Sequence, residues 1–416
     1  MKGEPDVLVI GGGAVGICSA YYLAEQGLQV LVVEKGEIAS GCSGANAGLI
    51  VPSYIIPLAK PGALSQGLKW MFKPGSPFYI KPRFDPFLFY WLWQFRKACK
   101  PQQMHHGLRI LFDLNYASLE LFDNLIKGES LICNYKKDGW LIIYKTERGL
   151  QEALEEACLL QSCDIKLNIL DVDKTLEMEP ALCPEITGGI FFPEDAHLDP
   201  AKFVKSLAER LQNRGVSIQV HTEVLEFETS RSCITTVQTT HGHFQPKQIV
   251  IAAGAWSPKL VQQFDLRLPV QPAKGYSISI KRPEACPGLP LYLSEANVAV
   301  TPLEDTLRFG GTMEFTGIDF NINSRRLDAI IRAAEDYLGQ IENLDIIETW
   351  CGLRPCTHDG LPIIGRFPGY KNLIIATGHN MLGITQAPIT GKLVSQLVCD
   401  QVPDVNLRPL AVTRFR

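Results

Sequence analysis

Residues 7–36 read VLVIGGGAVGICSAYYLAEQGLQVLVVEKG, and this stretch constrains the fold more than any other. DVLVI (6–10) is β-branched and apolar enough for a parallel strand buried on both faces. AVGICSAYYLAEQ follows with helical length and meets Gly27, a suitable residue to end a helix. A second apolar strand over 29–34 completes a βαβ unit. Gly11, Gly13 and Gly16 fall at GxGxxG spacing: the first permits a tight turn, the second close approach of backbone to a pyrophosphate, the third packing of helix on strand. Glu34 ends the second strand, where a carboxylate can accept hydrogen bonds from both hydroxyls of an adenosine ribose and would repel a 2′-phosphate. A dinucleotide other than NADP is the expectation.

Two later segments decide between the remaining dinucleotides. FQPKQIVIAAGAWS (244–257) is another buried strand, ending in Ala252, Ala253 and Gly254, small enough for backbone to press against a ligand. NLIIATGHNMLGITQAPITGKLVSQLV (372–398) repeats strand, glycine-bearing turn and helix, and its turn Gly378 to Thr385 would aim a positive helix end at the ligand. Such an end favours the negative charge that a reduced flavin carries on its pyrimidine ring, so FAD is expected over NAD.

Composition closes off several classes. With 40 basic and 44 acidic residues the chain carries a net charge of -4, without the basic face that nucleic-acid binding needs. At 416 residues and 46% hydrophobic content, two domains are expected. MKGEPDVLVI lacks the layout of a signal peptide, and no apolar run approaches the roughly 20 residues of a membrane span, so a cytoplasmic protein is expected. Twelve scattered cysteines form no CxxC pair, and His105, His106, His241 and His243 show no ligand spacing, His241 and His243 reading as part of a hairpin turn; no metal site is expected.

The segments VIGGGAVGICSAYYL, CSGANAGLIVPSY (42–54), GLKWMFKPGSPF and FLFYWLWQFRKAC (within 67–99), KGYSISI (274–280) and GLRPCTHDGLPIIGR (352–366) together resemble FAD-dependent amino acid oxidoreductases of the D-amino acid oxidase and glycine oxidase superfamily, and most nearly the bacterial D-amino acid dehydrogenases. The resemblance implies an α/β fold: a Rossmann-like FAD-binding domain of the glutathione-reductase type, joined to an α+β substrate domain built on an antiparallel sheet. FAD would lie extended and non-covalent. Ala14 and Val15 would join the glycines at the first turn, Glu34 and Lys35 would meet the adenosine, and Ser43, Asn46, Ala47, Gly48 and Leu49 would run along the diphosphate and flavin. The backbone of Val224 would meet the adenine, and Ala253, Gly254, Trp256, Gly352, Gly378, His379, Leu382, Gly383, Ile384 and Thr385 would complete the cofactor site. Arg354 corresponds to the arginine that holds the substrate carboxylate, a match for the planar fork of a guanidinium, and an interdomain ion pair is its alternative. Tyr276 and Tyr54 are the remaining substrate-pocket candidates, and a role as base for His379 is disfavoured. Cys351 falls one position from the thiol that binds flavin covalently in sarcosine oxidases.

The implied chemistry is oxidative deamination of a small or cyclic D-amino acid, such as D-alanine, D-proline or D-hydroxyproline, with electrons passed to a quinone. GHNMLGITQAP departs from the broad-specificity enzymes at Met381, Gln386, Ala387 and Pro388, which leaves the substrate open. An oxygen-using glycine or sarcosine oxidase, and a flavin subunit with partner subunits, are the alternatives. FDPFLFYWLWQF (84–95) concentrates aromatics, with Lys69, Lys73, Lys81 and Arg83 before it and Arg96, Lys97 and Lys100 after. That pattern suits peripheral contact of residues 67–100 with the inner face of the cell membrane, and equally a helix whose aromatics form core. The expected FAD-binding domain comprises 1–57, 147–269 and 350–416, and the substrate domain 58–146 and 270–349.

Overall fold

A computed structural model describes residues 4–71, 75–264, 267–339, 341 and 344–415, so Lys73 of the basic flank lies outside the described residues. The apolar runs become a six-stranded sheet in the order 363–366, 373–377, 248–251, 7–10, 30–33, 217–219, parallel except for its first strand. Val7–Ile10 is central and fully buried, with Val7 and Val9 on one face and Leu8 and Ile10 on the other. Helices Ala14–Glu25, Pro200–Asn213 and Ala387–Val398 cover the first face, and the three-stranded sheet 224–230, 233–239, 242–244 contributes Val224, Phe227 and Val237 to the second. Each fully buried Val, Leu or Ile here is worth roughly 1.5–3 kcal/mol. Asp199 caps its helix by accepting from the Lys202 N–H at 3.0 Å, as the DPAK sequence requires. Thr239 and Gly242 pair across the tight turn that carries His241.

The second layer is a nine-stranded sheet in the order 346–357, 270–281, 306–315, 298–302, 291–293, 140–144, 188–192, 168–170, with Phe78–Ile80 pairing beside Met313–Phe315. The sheet is antiparallel as expected along 346–357, 270–281, 306–315 and 298–302, and two further contacts are parallel, Leu291–Leu293 with Trp140–Tyr144 and Phe78–Ile80 with Met313–Phe315. The strand pairing does not follow the expected domain limits. Residues 188–192, expected with the nucleotide sheet, pair with Trp140–Tyr144 in the second sheet, and residues 168–170 pair in turn with 188–192. The limit at 350 cuts the strand Ile346–Thr357, which pairs with Val270–Lys281 along almost its whole length. Helix Pro101–Glu129, expected in the substrate domain, places Leu119, Phe122 and Leu125 against the helical face of the nucleotide sheet. A strand followed by a helix reads locally as a βαβ unit, and only long-range pairing reveals which sheet it joins.

The aromatic segment forms helix Pro86–Ala98, capped by Asp85. Leu88, Trp91 and Phe95 are buried at helical spacing, and the Trp91 indole N–H donates to the Cys356 carbonyl at 3.1 Å. Phe84, Phe89, Tyr90 and Trp93 are exposed on the other side. No described helix is long and apolar enough to cross a membrane.

Candidate active site

A cleft of about 1270 Å³ runs between the carboxyl ends of the parallel strands and the second sheet. It exceeds the roughly 300–1,000 Å³ typical of small-molecule sites, as an extended dinucleotide plus a substrate requires. Gly11 has φ +119°, and a side chain there would come within 2.6 Å of the Ala252 carbonyl. A side chain at Gly13 would meet Ser43 Oγ at 3.0 Å, and one at Gly16 would overlap the Gly11 carbonyl. The turn therefore stays open to a pyrophosphate above the first helix, whose N-cap residue Gly13 has no side chain to cap it. Gly16 does not reach the cleft; it sets the contact of helix and strand.

Glu34 Oε2 accepts from the Gly12 N–H at 2.7 Å and Oε1 from the Gly36 N–H at 2.9 Å, which fixes the carboxylate at the cleft wall with lone pairs to spare. Lys35 lays its ammonium 3.8 Å from the Trp256 ring centroid, and Phe320 stacks on that indole. Val224, Ala253 and Gly254 line the same end. Ser43 Oγ accepts from the Ala14 N–H at 3.0 Å, and Val15 lies beside it on the cleft.

Residues 45–49 form the next stretch of wall and are bolted to the second sheet. Ser277 Oγ donates to the Ala45 carbonyl (2.8 Å), Thr301 Oγ1 to that of Ala47 (2.7 Å) and the Arg308 guanidinium to that of Asn46 (3.1 Å). The Asn46 amide oxygen accepts from the Gly48 N–H at 2.8 Å, and Gly48 and Leu49 continue the wall. At the opposite side Leu382, Gly383 and Ile384 precede the helix beginning at Ala387. Two expected members of this turn stand behind the lining. Gly378, at φ +79°, packs against Thr357, and Thr385 Oγ1 lies 3.2 Å from both the Val51 N–H and the Leu49 carbonyl, fixing that strand instead of facing a ligand. His379 is buried, its Nε2 is 3.0 Å from Thr390 Oγ1, and burial lowers its pKa to about 3, so the ring stays neutral and is no acid–base group at ordinary pH.

Arg354 enters the cleft from strand Ile346–Thr357 next to Gly352. Its Nη1 donates to the Thr312 carbonyl at 2.8 Å, and among the described residues no carboxylate forms an ion pair with it. Tyr276 corrects an expectation. Its ring touches the cleft wall, but it is 1% exposed and its hydroxyl donates to Glu314 at 2.6 Å, within a buried group that includes Lys274 and Arg326. A hydroxyl so engaged, with burial raising its pKa, belongs to the core. Tyr54 does line the cleft, and burial pushes its phenol up to about 12, with Glu156 raising it further and Arg354 opposing. Its ring lies 6.3 Å from Trp140, which lies 5.8 Å from Tyr292. Trp140, Tyr292, Trp350, Gly275 and Thr312 line the site without having been read from the sequence. The glycine pair in LRFGGTMEF was the available signal for the last of these. Cys351 also reaches the cleft, with its thiol donating to the Phe320 carbonyl at 3.2 Å.

A glycine-rich turn at a helix N-terminus, an acid fixed at the cleft wall and a second sheet that carries a guanidinium into the same cleft are the parts of a dinucleotide-dependent oxidoreductase. The chain matches the family described as "FAD dependent oxidoreductase" over residues 6–397, and it belongs to that family. FAD is its cofactor, and the cradle of Gly11, Gly13, Glu34 and residues 43–49 fits it. It is 32% identical to a D-amino acid dehydrogenase of Vibrio atlanticus, covering 99% of this chain and 100% of that protein. It is 33% identical to one of Helicobacter pylori, covering 99% of each. Among solved structures, glycine oxidase from Geobacillus kaustophilus superposes with a TM-score of 0.81 at 24% identity, covering 99% of this chain and 98% of that one. L-proline dehydrogenase from P. horikoshii gives 0.78 at 18%, covering 100% and 98%. These two likenesses establish the fold.

Proposed function

We propose that this protein is an FAD-dependent D-amino acid dehydrogenase that oxidises a small or cyclic D-amino acid. The observation that carries the reading is Arg354: a guanidinium in the cleft, held by one backbone carbonyl and, among the described residues, matched to no acid. A substrate carboxylate supplies the missing partner through two parallel hydrogen bonds. FAD bound in the cleft supplies the acceptor for two electrons and the α-hydrogen, transferred as hydride. The chain's residues contribute placement, which can be worth roughly 7–11 kcal/mol of a barrier when reacting atoms are held at attack distance. Neutral His379 and protonated Tyr54 leave the amine to lose its proton to solvent before oxidation. The imine product takes up water to give a 2-oxo acid and ammonia, or remains a cyclic imine when the substrate is a ring. Steady-state dye reduction against matched D- and L-amino acids tests this: turnover confined to D-isomers is expected, and turnover of L-isomers alone removes the proposed handedness.

The proposed electron acceptor is a quinone, reached by peripheral contact with the membrane. Exposed Phe84, Phe89, Tyr90 and Trp93 beside Arg96, Lys97 and Lys100 support it, and Lys97 lies over the Trp93 ring at 3.2 Å. Co-sedimentation with anionic vesicles should be lost in a Phe89→Ser/Trp93→Ser variant that keeps its dye activity. Peroxide formation at the rate of dye reduction would favour oxygen as acceptor instead.

A further inference from the structure

We propose that Gly275 and the backbone bulge at Thr312 form a dedicated seat for the Arg354 guanidinium, and that Gly275 is a positioning residue for carboxylate recognition. The proposal rests on the reading of Arg354 as the substrate anchor. Strand Val270–Lys281 lies between Thr306–Phe315 and Ile346–Thr357. Across the latter contact Gly275 pairs with Gly352 and Ala273 with Arg354, so Gly275, Gly352, Arg354 and Trp350 share one face of the sheet. The two glycines leave a shallow trough there, and the flanking side chains fold into it. A β-carbon on Gly352 would overlap the Trp350 indole, whereas one on Gly275 would overlap Nη1 and Cζ of Arg354 and stand 2.5 Å from Nη2. The guanidinium thus lies flat on the backbone of Gly275, in space that any other residue would fill.

The opposite strand supplies the other half of the seat. Lys274 pairs with Glu314 and Tyr276 with Gly311, so Thr312 and Met313 together face Gly275 in a bulge. Thr312 has φ +67°, a conformation β-branched residues avoid, and it is 8% exposed. That turn directs its carbonyl to Arg354 Nη1. Met313 holds the bulge from outside, its N–H donating to the Pro77 carbonyl at 2.7 Å. A floor without a side chain and one fixed acceptor define the plane of the guanidinium, so the remaining N–H donors present a preset fork.

The test is a double-mutant cycle on the preference for a free amino acid over its methyl ester, with flavin loading read from absorbance. Gly275→Ala moves a methyl into the space of a flexible side-chain end, so the enzyme should keep FAD. Its preference should fall on the order of 10- to 100-fold, the range for hydrogen bonds to charged groups. Arg354→Ala should show the same collapse, and the double variant should be no worse than Arg354→Ala alone. Thr312→Gly, free to adopt the same φ, should keep the preference; its loss would show that the side chain and not the bulge carbonyl matters, and would overturn that half. Retained preference in Gly275→Ala, or multiplied losses in the double variant, overturns the seat. Retained preference in Arg354→Ala overturns the anchor itself. Should Gly275→Ala fail to load FAD, adding Arg354→Ala removes the overlap and must restore loading; failure to do so also overturns the seat.

Discussion

Replacing Glu34 by Gln separates two tasks that one carboxylate performs. Its oxygens already accept from the N–H groups of Gly12 at 2.7 Å and Gly36 at 2.9 Å, bonds present with or without cofactor. A carboxylate has about four lone-pair sites, so about two remain for the ribose hydroxyls. Glutamine offers one oxygen and one NH₂, and whichever backbone donor faces the NH₂ loses its acceptor. The apoprotein should therefore lose about 1–3 kcal/mol, the cost of an unmet buried donor. FAD binding should weaken separately, because one ribose hydroxyl loses a charged acceptor; a bond of that kind is worth about 1.5–3 kcal/mol, or roughly 10- to 150-fold in Kd. Chemical denaturation of the apoprotein reads the first effect and quenching of flavin fluorescence on titration with FAD reads the second. A destabilised apoprotein with wild-type FAD affinity would refute the ribose contact and leave Glu34 as a loop pin. An apoprotein of unchanged stability would refute the hydrogen-bond geometry.

Buried ionisable groups give further expectations. His379 is held neutral by burial, with a pKa lowered from 6.5 to about 3, so between those values the unfolded chain binds the extra proton and stability falls on acidification. His379→Gln should flatten the decline below pH 6.5 in a denaturation series, and an unchanged slope would contradict it. Asp195 has the opposite sign. Burial raises its pKa from 3.8 to about 8, against hydrogen bonds from the Ser53 N–H and hydroxyl, so its contribution is full below pH 3.8 and is lost as pH rises toward 8. Asp195→Asn, neutral throughout, should gain stability relative to wild type as pH climbs from 4 to 8; a gap that does not widen would count against a protonated Asp195.

The nucleotide half of the molecule was legible because its signals are local. Consecutive apolar residues at 7–10, 30–33 and 249–251 suit strands covered on both faces, and Gly11, Gly13 and Gly16 act on their own turn. The second sheet was far less legible. Its strands at 140–144, 168–170, 188–192 and 291–293 meet only through pairings that propensity does not encode, which is why the expected domain limits do not follow the strand pairing. Tyr276 shows the same limit at one residue: alternation places it on a sheet face, but only the arrival of Glu314 from the neighbouring strand says that its hydroxyl is occupied. Gly275 was invisible for the converse reason, since its role is the absence of a side chain where Arg354 folds back. The aromatic helix puts one face in core and leaves the other exposed, because spacing of 88, 91 and 95 against 89 and 93 divides it.

The most direct test of the central claim is anaerobic reduction of the bound flavin, followed by loss of its visible absorbance in the wild type and in Arg354→Ala. A D-amino acid should bleach the wild-type flavin, and Arg354→Ala, still carrying FAD, should need on the order of 100-fold more substrate for the same rate. Bleaching of both proteins at equal substrate concentrations would contradict it.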